Sequence, residues 1–441
     1  MIAYEKSRYN IWIENILYNS FTDKAICFEE AEITDIQYYL DNIDVFRLEY
    51  SEIFNYFVGF GFVKDISFNE LDFILFQNRN ATLCKKSYQL TINPTLECNY
   101  KCWYCFEDQS SIPKKGRMDE TTIERVKMHI KYMIEKEHIS ELKLDWFGGE
   151  PLLYFYEVIY PISLYAIELC KINDIPFNNH VTTNAYYIDM RMILAFNEIQ
   201  LNSFQIPIDG DRSKHNAVKN HNGEGHYDKI LQTFNEICMH VNNACVIMRI
   251  NYDKQTLKNV SAVISDVKVE NRCKIFVDFQ RVWQIDLSID ENGDNLLLLD
   301  IKKEFERAGF KTIYFAYQSK KYKCCYADSF YHRVINYDGK VYKCSARDYN
   351  EDLCIGTIQN DGAISFKINI IAKMFSNPTF DNTQCLNCNR LPLCYGPCIQ
   401  KYYETKIGKS KFQCLHDSAE ISLREYVKEK VKKNLNAERY D

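Results

Sequence analysis

Three cysteines, Cys98, Cys102 and Cys105, stand in the segment CNYKCWYC at a C-x3-C-x2-C spacing. A structural zinc site asks for four Cys or His ligands. No fourth lies close, and the nearest downstream histidine, His129, falls in a segment with helical periodicity. Three thiolates suit three irons of a 4Fe–4S cube and leave the fourth iron open to a substrate or cofactor.

A second group lies near the other end. Cys385, Cys388, Cys394 and Cys398 form C-x2-C-x5-C-x3-C. Upstream, Cys325 is followed by thirteen residues, Gly339, four more residues and Cys344; Cys324 precedes this run and Cys414 stands alone downstream. Two four-cysteine zinc sites would also use such spacings. The other seven of the 18 cysteines, Cys27, Cys84, Cys170, Cys238, Cys245, Cys273 and Cys354, are scattered and read as small buried hydrophobes, with Cys354 also a spare ligand candidate.

The elements that must carry these groups follow from periodicity. Short β-branched or aromatic runs at 89–95, 141–147, 178–183, 203–209, 245–251 and 273–281 alternate with helical stretches near 119–137, 155–172, 187–198, 226–242 and 256–268. In the first helical stretch Ile123, Val126, Ile130, Met133 and Ile134 make one apolar face, with Asp119 as N-cap. Strand–helix alternation predicts parallel strands with right-handed crossovers. Six units are too few for a closed eight-stranded barrel, so an α/β fold with an open, partial (β/α)6 barrel is expected. Its chemistry should sit at the C-terminal strand ends.

The strand ends carry polar groups suited to a ligand. The second strand ends in FGGEP, where Gly148 and Gly149 permit close approach to the backbone and Glu150 can accept from an ammonium group. The third ends in Thr182, Thr183 and Asn184, the fourth in Asp209 and Gly210, and the fifth carries Arg249. Arg249 could pair with a carboxylate or serve as a structural ion-pair partner.

The first motif, with an aromatic residue, Tyr104, before its last cysteine, resembles that of the radical S-adenosylmethionine (SAM) enzymes. The resemblance implies that the open iron chelates the methionine part of SAM. It also implies that SAM is cleaved to a 5′-deoxyadenosyl radical, which takes a hydrogen atom from the substrate. Gly148, Gly149 and Glu150 match the family's GGE motif; Tyr104, Thr182, Asn184, Asp209 and Arg249 fall at matching places around SAM. Pro207 replaces a serine that relatives often carry, so that contact is missing. The second cysteine group resembles the SPASM domain of peptide-modifying members. It implies two auxiliary 4Fe–4S clusters, one on Cys385, Cys388, Cys394 and Cys414, the other on Cys325, Cys344 and Cys398, with Cys324 a candidate fourth ligand. Sulfatase-maturing relatives carry an aspartate base just after the G-x4-C cysteine. Here that position is Ser345, and only Asp348 and Asp278 are available as weak substitutes.

The expected organisation is an N-terminal α+β, winged-helix-like module over 1–85, the barrel over 86–310 and a Cys-rich SPASM domain over 311–441. By analogy the first module would grip the leader of a precursor peptide as an added strand; a cover for the barrel is the alternative. The C-terminal stretch places Leu423, Val427 and Val431 on one helical stripe, which predicts a packed surface helix. The 441 residues are 46% hydrophobic and 26% charged, which marks a globular chain. A net charge of −6 offers no basic footprint for nucleic acid. No apolar run approaches ~18 residues, so no membrane span is expected. The N-terminus lacks a signal-peptide pattern, so the cytoplasm is the expected compartment. The expected function is maturation of a ribosomal precursor peptide through a thioether or C–C cross-link, with flavodoxin or ferredoxin as electron donor. The alternatives are a sulfatase-maturing enzyme and a non-catalytic cysteine-rich metal or electron-transfer scaffold.

Overall fold

The computed structural model describes residues 2–107, 116–221, 223–282, 284, 291–314, 317, 322–376, 382–412, 414–416, 419 and 421–437. Two compact units are present, one of residues 84–315 and 329–373, the other of 1–83, 316–328 and 374–441.

The larger unit is built on six parallel strands: β1 (Ser87–Ile92), β2 (Glu141–Trp146), β3 (Phe177–Thr182), β4 (Leu201–Ile208), β5 (Cys245–Tyr252) and β6 (Ile275–Arg281). They pair in sequence order, each parallel to the next. That order is the one a barrel requires, and it follows from crossovers of one hand. The sheet continues past β6 through β7 (Lys311–Thr312). On the other side β8 (His332–Ile335) pairs parallel to β1 and leads into β9 (Lys340–Tyr342), β10 (Gly356–Ile358) and β11 (Ile364–Phe366), all antiparallel. The sheet therefore stays open, and the segment VINYDGKVYKC forms its β8–β9 hairpin.

Helices α1 (Glu120–Glu135), α2 (Tyr160–Ile172), α3 (Met190–Glu198), α4 (Arg212–Val218), α5 (Tyr227–His240), α6 (Lys254–Asn259) and α7 (Glu291–Arg307) lie between the strands. Asp119 caps α1 by accepting from the Thr122 amide, and the five apolar residues expected on its inner face are buried. The crossover helix α7 is not among the helical stretches expected from the sequence, the last of which lies near 256–268. Its Leu298, Ile301 and Phe305 are buried, so packing confirms a helix that an unbroken Leu run obscured. The stretch 256–268 is not one helix either: α6 gives way to a 3-10 turn and a short helix, Val263–Asp266.

Pro151–Ile172 is long and apolar enough, by length and composition alone, to cross a membrane. This departs from the expectation that no run is long enough. In this fold the stretch is α2 and its lead-in, with Ile162, Ser163, Ala166 and Cys170 buried.

Alternation along the strands sorts two faces. Residues such as Leu142, Leu144 and Trp146 on β2, or Val246, Met248 and Ile250 on β5, are fully buried. The intervening residues are polar and partly exposed: Gln89, Asp145, His180, Gln205, Arg249 and Asn251. A closed barrel would fill that inner face with branched apolar side chains. Here His180 Nδ1 meets Ser203 Oγ at 2.8 Å and Gln89 bonds Asp145, so the concave face is polar and suited to a ligand.

The smaller unit holds a three-stranded antiparallel sheet, Asn10–Ile13, Ile16–Asn19 and Lys24–Cys27. The C-terminal helix Leu423–Ala437 packs on it: Leu423 and Val427 are buried with Ile13, Ile16, Tyr18 and Leu393, and Val431 is partly buried there. The expected one-stripe packing of that helix is what the structure shows.

Candidate functional site

β1 runs into Thr95–Glu97 and then the loop with the first three cysteines. Little regular structure holds this loop; one turn is closed by the Cys105 amide donating to the Cys102 carbonyl at 3.0 Å. Its sulfurs are partly exposed, and the Tyr100 amide points at Cys98 Sγ, 3.4 Å away.

The end of β2 is pressed against the base of this loop. The Gly149 amide donates to Thr95 O at 3.2 Å and the Glu150 amide to Glu97 O at 2.7 Å. A Cβ on Gly149 would stand 2.2 Å from Glu97 O, and Gly148 adopts φ +105 with Thr95 O just as close to its missing Cβ. The glycines are thus required first by the protein's own backbone, which lets the GGE segment touch the cysteine loop.

Glu150 is fully buried. Its Oε1 accepts from the Leu152 amide at 3.0 Å and Thr183 Oγ1 at 2.7 Å, and its Oε2 from the Asn184 amide at 2.8 Å. Asn184 Nδ2 in turn donates to Asn99 Oδ1 at 2.8 Å and approaches Cys98 Sγ at 3.7 Å. The ends of β2 and β3 are therefore tied to the first cysteine. Burial pushes the Glu150 carboxyl up to about 7, against three hydrogen bonds that favour its charged form.

At the ends of β4 and β5 a second polar group forms. Asp209 is buried and accepts from Tyr104 Oη and Lys219 Nζ, and from Asn251 Nδ2 at 3.3 Å. Lys219, just after α4, is buried too, and its ammonium also donates to Tyr104 Oη at 2.7 Å. Burial alone would raise the Asp209 carboxyl, but the Lys219 charge and the hydrogen bonds from Lys219 and Tyr104 hold it below the usual range. Arg249 Nε donates to Asn251 Oδ1 at 3.1 Å, and Arg249 is the register partner of Asp278 on β6.

Residues 92–267 match the Radical SAM superfamily. This radical SAM domain marks the chain as an enzyme. Native anSMEcpe with bound AdoMet is similar in structure, with TM-score 0.51 and 17% identity over 72% of this chain and 95% of that one. The same protein with bound AdoMet and the Cp18Cys peptide gives TM-score 0.53 at 16% identity over 72% and 96%. Streptococcus suis SuiB bound to S-adenosylmethionine aligns over 96% of this chain and 99% of that one, at 16% identity and TM-score 0.49. No curated protein matches. The likeness to anSMEcpe shows the shared fold; the superfamily brings SAM and one 4Fe–4S cluster as cofactors.

The donor set of the first cysteine loop fits such a cluster. Burial, then the neighbouring Glu150, Cys102 and Cys105 charges, push the Cys98 thiol up to about 12. A thiol held that high becomes a thiolate only beside strong positive charge, which iron supplies. Among the described residues no three His, Cys, Asp or Glu side chains form a single-ion site. His129 is no missing ligand: Nδ1 bonds Gly362 O at 2.6 Å, Nε2 bonds Tyr88 Oη, and burial lowers it to about 4.

The later cysteines also gather. Burial raises Cys394 to about 12, with Cys385, Cys388 and Cys414 each adding to it. Amides two residues on point at the sulfurs of Cys388, Cys394 and Cys344, at 3.3, 3.4 and 3.4 Å. Cys98 has the same arrangement, and such N–H···S contacts tune iron–sulfur centres. Cys324 is buried, Cys325 and Cys398 are half-buried, and Cys354 donates its thiol to Gly356 O at 3.2 Å. Asp348 is exposed in the loop after Cys344, and Asp278 is buried on β6, bonded by Gln280 at 2.9 Å. Lys219 and Asn251 were not singled out from the sequence; each stands far along the chain from Tyr104 and carries no local motif.

The buried Glu150 makes stability depend on pH. A carboxyl moved from 4.5 to about 7 holds its proton more tightly folded than unfolded, so ionising it costs the fold roughly 3 kcal/mol. Stability from this group is present below the unfolded value and lost as pH rises through about 7. Denaturant unfolding of the metal-free protein should show this decline, and E150Q should flatten it. An equally steep decline in E150Q would assign it to another group.

Proposed function

We propose that this enzyme is a peptide maturase: it cleaves SAM and uses the radical to install a thioether or C–C cross-link in a ribosomal precursor peptide. The observation that carries the reading is the spacing of Cys385, Cys388, Cys394 and Cys414, with amides two residues on directed at the sulfurs of Cys388 and Cys394, a donor set suited to an auxiliary cluster. A second auxiliary cluster on Cys325, Cys344 and Cys398, with Cys324 a candidate fourth ligand, completes the proposal.

The reduced SAM-binding cluster supplies the electron that cleaves SAM. The chain's own residues hold and orient. Cys98, Cys102 and Cys105 would hold the cluster, and Glu150, with the neighbouring Thr182 and Asn184, would hold the SAM ammonium, while Gly148 and Gly149 let that segment lie against the cysteine loop. Arg249 stands at the carboxylate side. Cross-linking removes a hydrogen atom, a proton and an electron from the peptide. The hydrogen atom would pass to the radical that bound SAM supplies, the electron to an oxidised auxiliary cluster, and the proton to solvent. The polar concave face is the place for the peptide segment being modified. A peptide substrate is supported by the anSMEcpe structure that holds one.

A sulfatase-maturing activity is less well supported. Ser345 stands where those enzymes have their base, its carbonyl accepting from Tyr349 Oη at 3.1 Å. Asp348 faces solvent, and Asp278 lies beside Arg249.

The deciding experiment incubates anaerobically prepared protein with SAM, dithionite and a candidate precursor peptide. The expected result is 5′-deoxyadenosine together with a peptide lighter by two hydrogens per cross-link. Bound zinc without acid-labile sulfide would end this reading and favour the scaffold.

Leader recognition is placed on the antiparallel sheet of the smaller unit. Its outer strand Lys24–Cys27 is partly exposed, a suitable edge for an added strand. Truncation is a poor test, because residues 1–83 share their core with the C-terminal helix. Hydrogen exchange with a leader peptide should instead show slowed amides in Lys24–Cys27. Protection confined to other segments would leave the sheet a structural role alone.

A further inference from the structure

The cysteine loop has few backbone bonds, yet Tyr104, between Cys102 and Cys105, is held firmly by groups that are not cysteines. Its hydroxyl meets Lys219 Nζ at 2.7 Å and Asn251 Nδ2 at 3.1 Å, and donates to Asp209. Its carbonyl accepts from Gln284 Nε2 at 2.8 Å. The Lys219 and Asp209 side chains are each 2% exposed. A buried ion pair is seldom more stabilising than an apolar pair of the same size. What it adds is geometry: a charge-assisted network fixes its members in one arrangement.

We propose that Lys219 is a positioning residue for the SAM-binding cluster. Together with Asp209 and Asn251 it holds the Tyr104 hydroxyl, and through Tyr104 it fixes the segment carrying Cys102 and Cys105. The ammonium also stands over the Tyr104 ring, 5.4 Å from its centroid. Three chain segments, the end of β4, the end of β5 and the turn after α4, thereby set the spacing of two cluster thiolates. This rests on the reading that Cys98, Cys102 and Cys105 hold the cluster.

The test uses full-length protein reconstituted with iron and sulfide, reduced with dithionite. The readout is the electron spin resonance signal that changes on adding SAM, and its rate of loss to an iron chelator. Y104F and K219M should each speed that loss about tenfold, the order expected for one charge-assisted hydrogen bond. The double variant should be no faster than K219M alone, because both remove one tie. Y104F leaves the ion pair in place and carries the test by itself. A wild-type rate of loss in Y104F overturns the proposal whether or not K219M folds, and additive effects in the double variant overturn it too. No SAM-responsive signal in the wild type would instead strike the cluster reading itself.

Discussion

Replacing Cys98, Cys102 and Cys105 together with alanine should abolish formation of 5′-deoxyadenosine from SAM. These are the soft ligands of that loop, and burial leaves the Cys98 thiol protonated unless metal is present. Iron should fall by about four atoms per chain, the content of one cube. The loss should be complete, since alanine cannot ligate and the neighbouring Asn99, Asn184 and Glu150 are bonded to one another or to backbone. Chromatography of the reaction with dithionite and SAM reads the result. Continued 5′-deoxyadenosine formation by the triple variant would remove these cysteines from the mechanism.

Cys394→Ala should separate the two halves of the reaction. Cys394 is buried, at the end of a short turn where Tyr395 takes φ +57 and Gly396 φ +79. That left-handed pair bends the chain back so that the Gly396 amide reaches the Cys394 sulfur. Alanine removes the ligand at the centre of the gathered set, and about four irons should be lost. SAM cleavage should persist, because the barrel strands and the first cysteine loop are untouched. Peptide modification should fall at least a hundredfold if the auxiliary cluster proposed above accepts the electron, an effect on the order of 3 kcal/mol. Unchanged iron content would show that Cys394 binds no cluster. Unchanged modification with the iron lost would show that the cluster is dispensable.

The parts legible in the sequence were those whose partners lie within a few residues. The C-x3-C-x2-C loop, GGE at the end of β2 and the Asp119 cap are short patterns, and the structure places them on the expected elements. Periods of two and 3.6 exposed the six strands and most crossover helices. They failed at α7, where consecutive leucines hide which face is buried until the sheet is present.

Other features exist only once the chain is folded. Lys219 and Asn251 meet Tyr104 from 115 and 147 residues away, through strand register and the crossovers between. The glycines of GGE looked like room for a ligand; the tertiary structure shows the backbone of Thr95–Glu97 in that space. Residues 1–85 read as a module of their own, whereas their sheet buries Ile13, Ile16 and Tyr18 against the C-terminal helix Leu423–Ala437. A sequence states which groups can bind iron and SAM, because ligand chemistry is local. Which side chains hold those groups still is decided by contacts between distant segments, and only packing determines those.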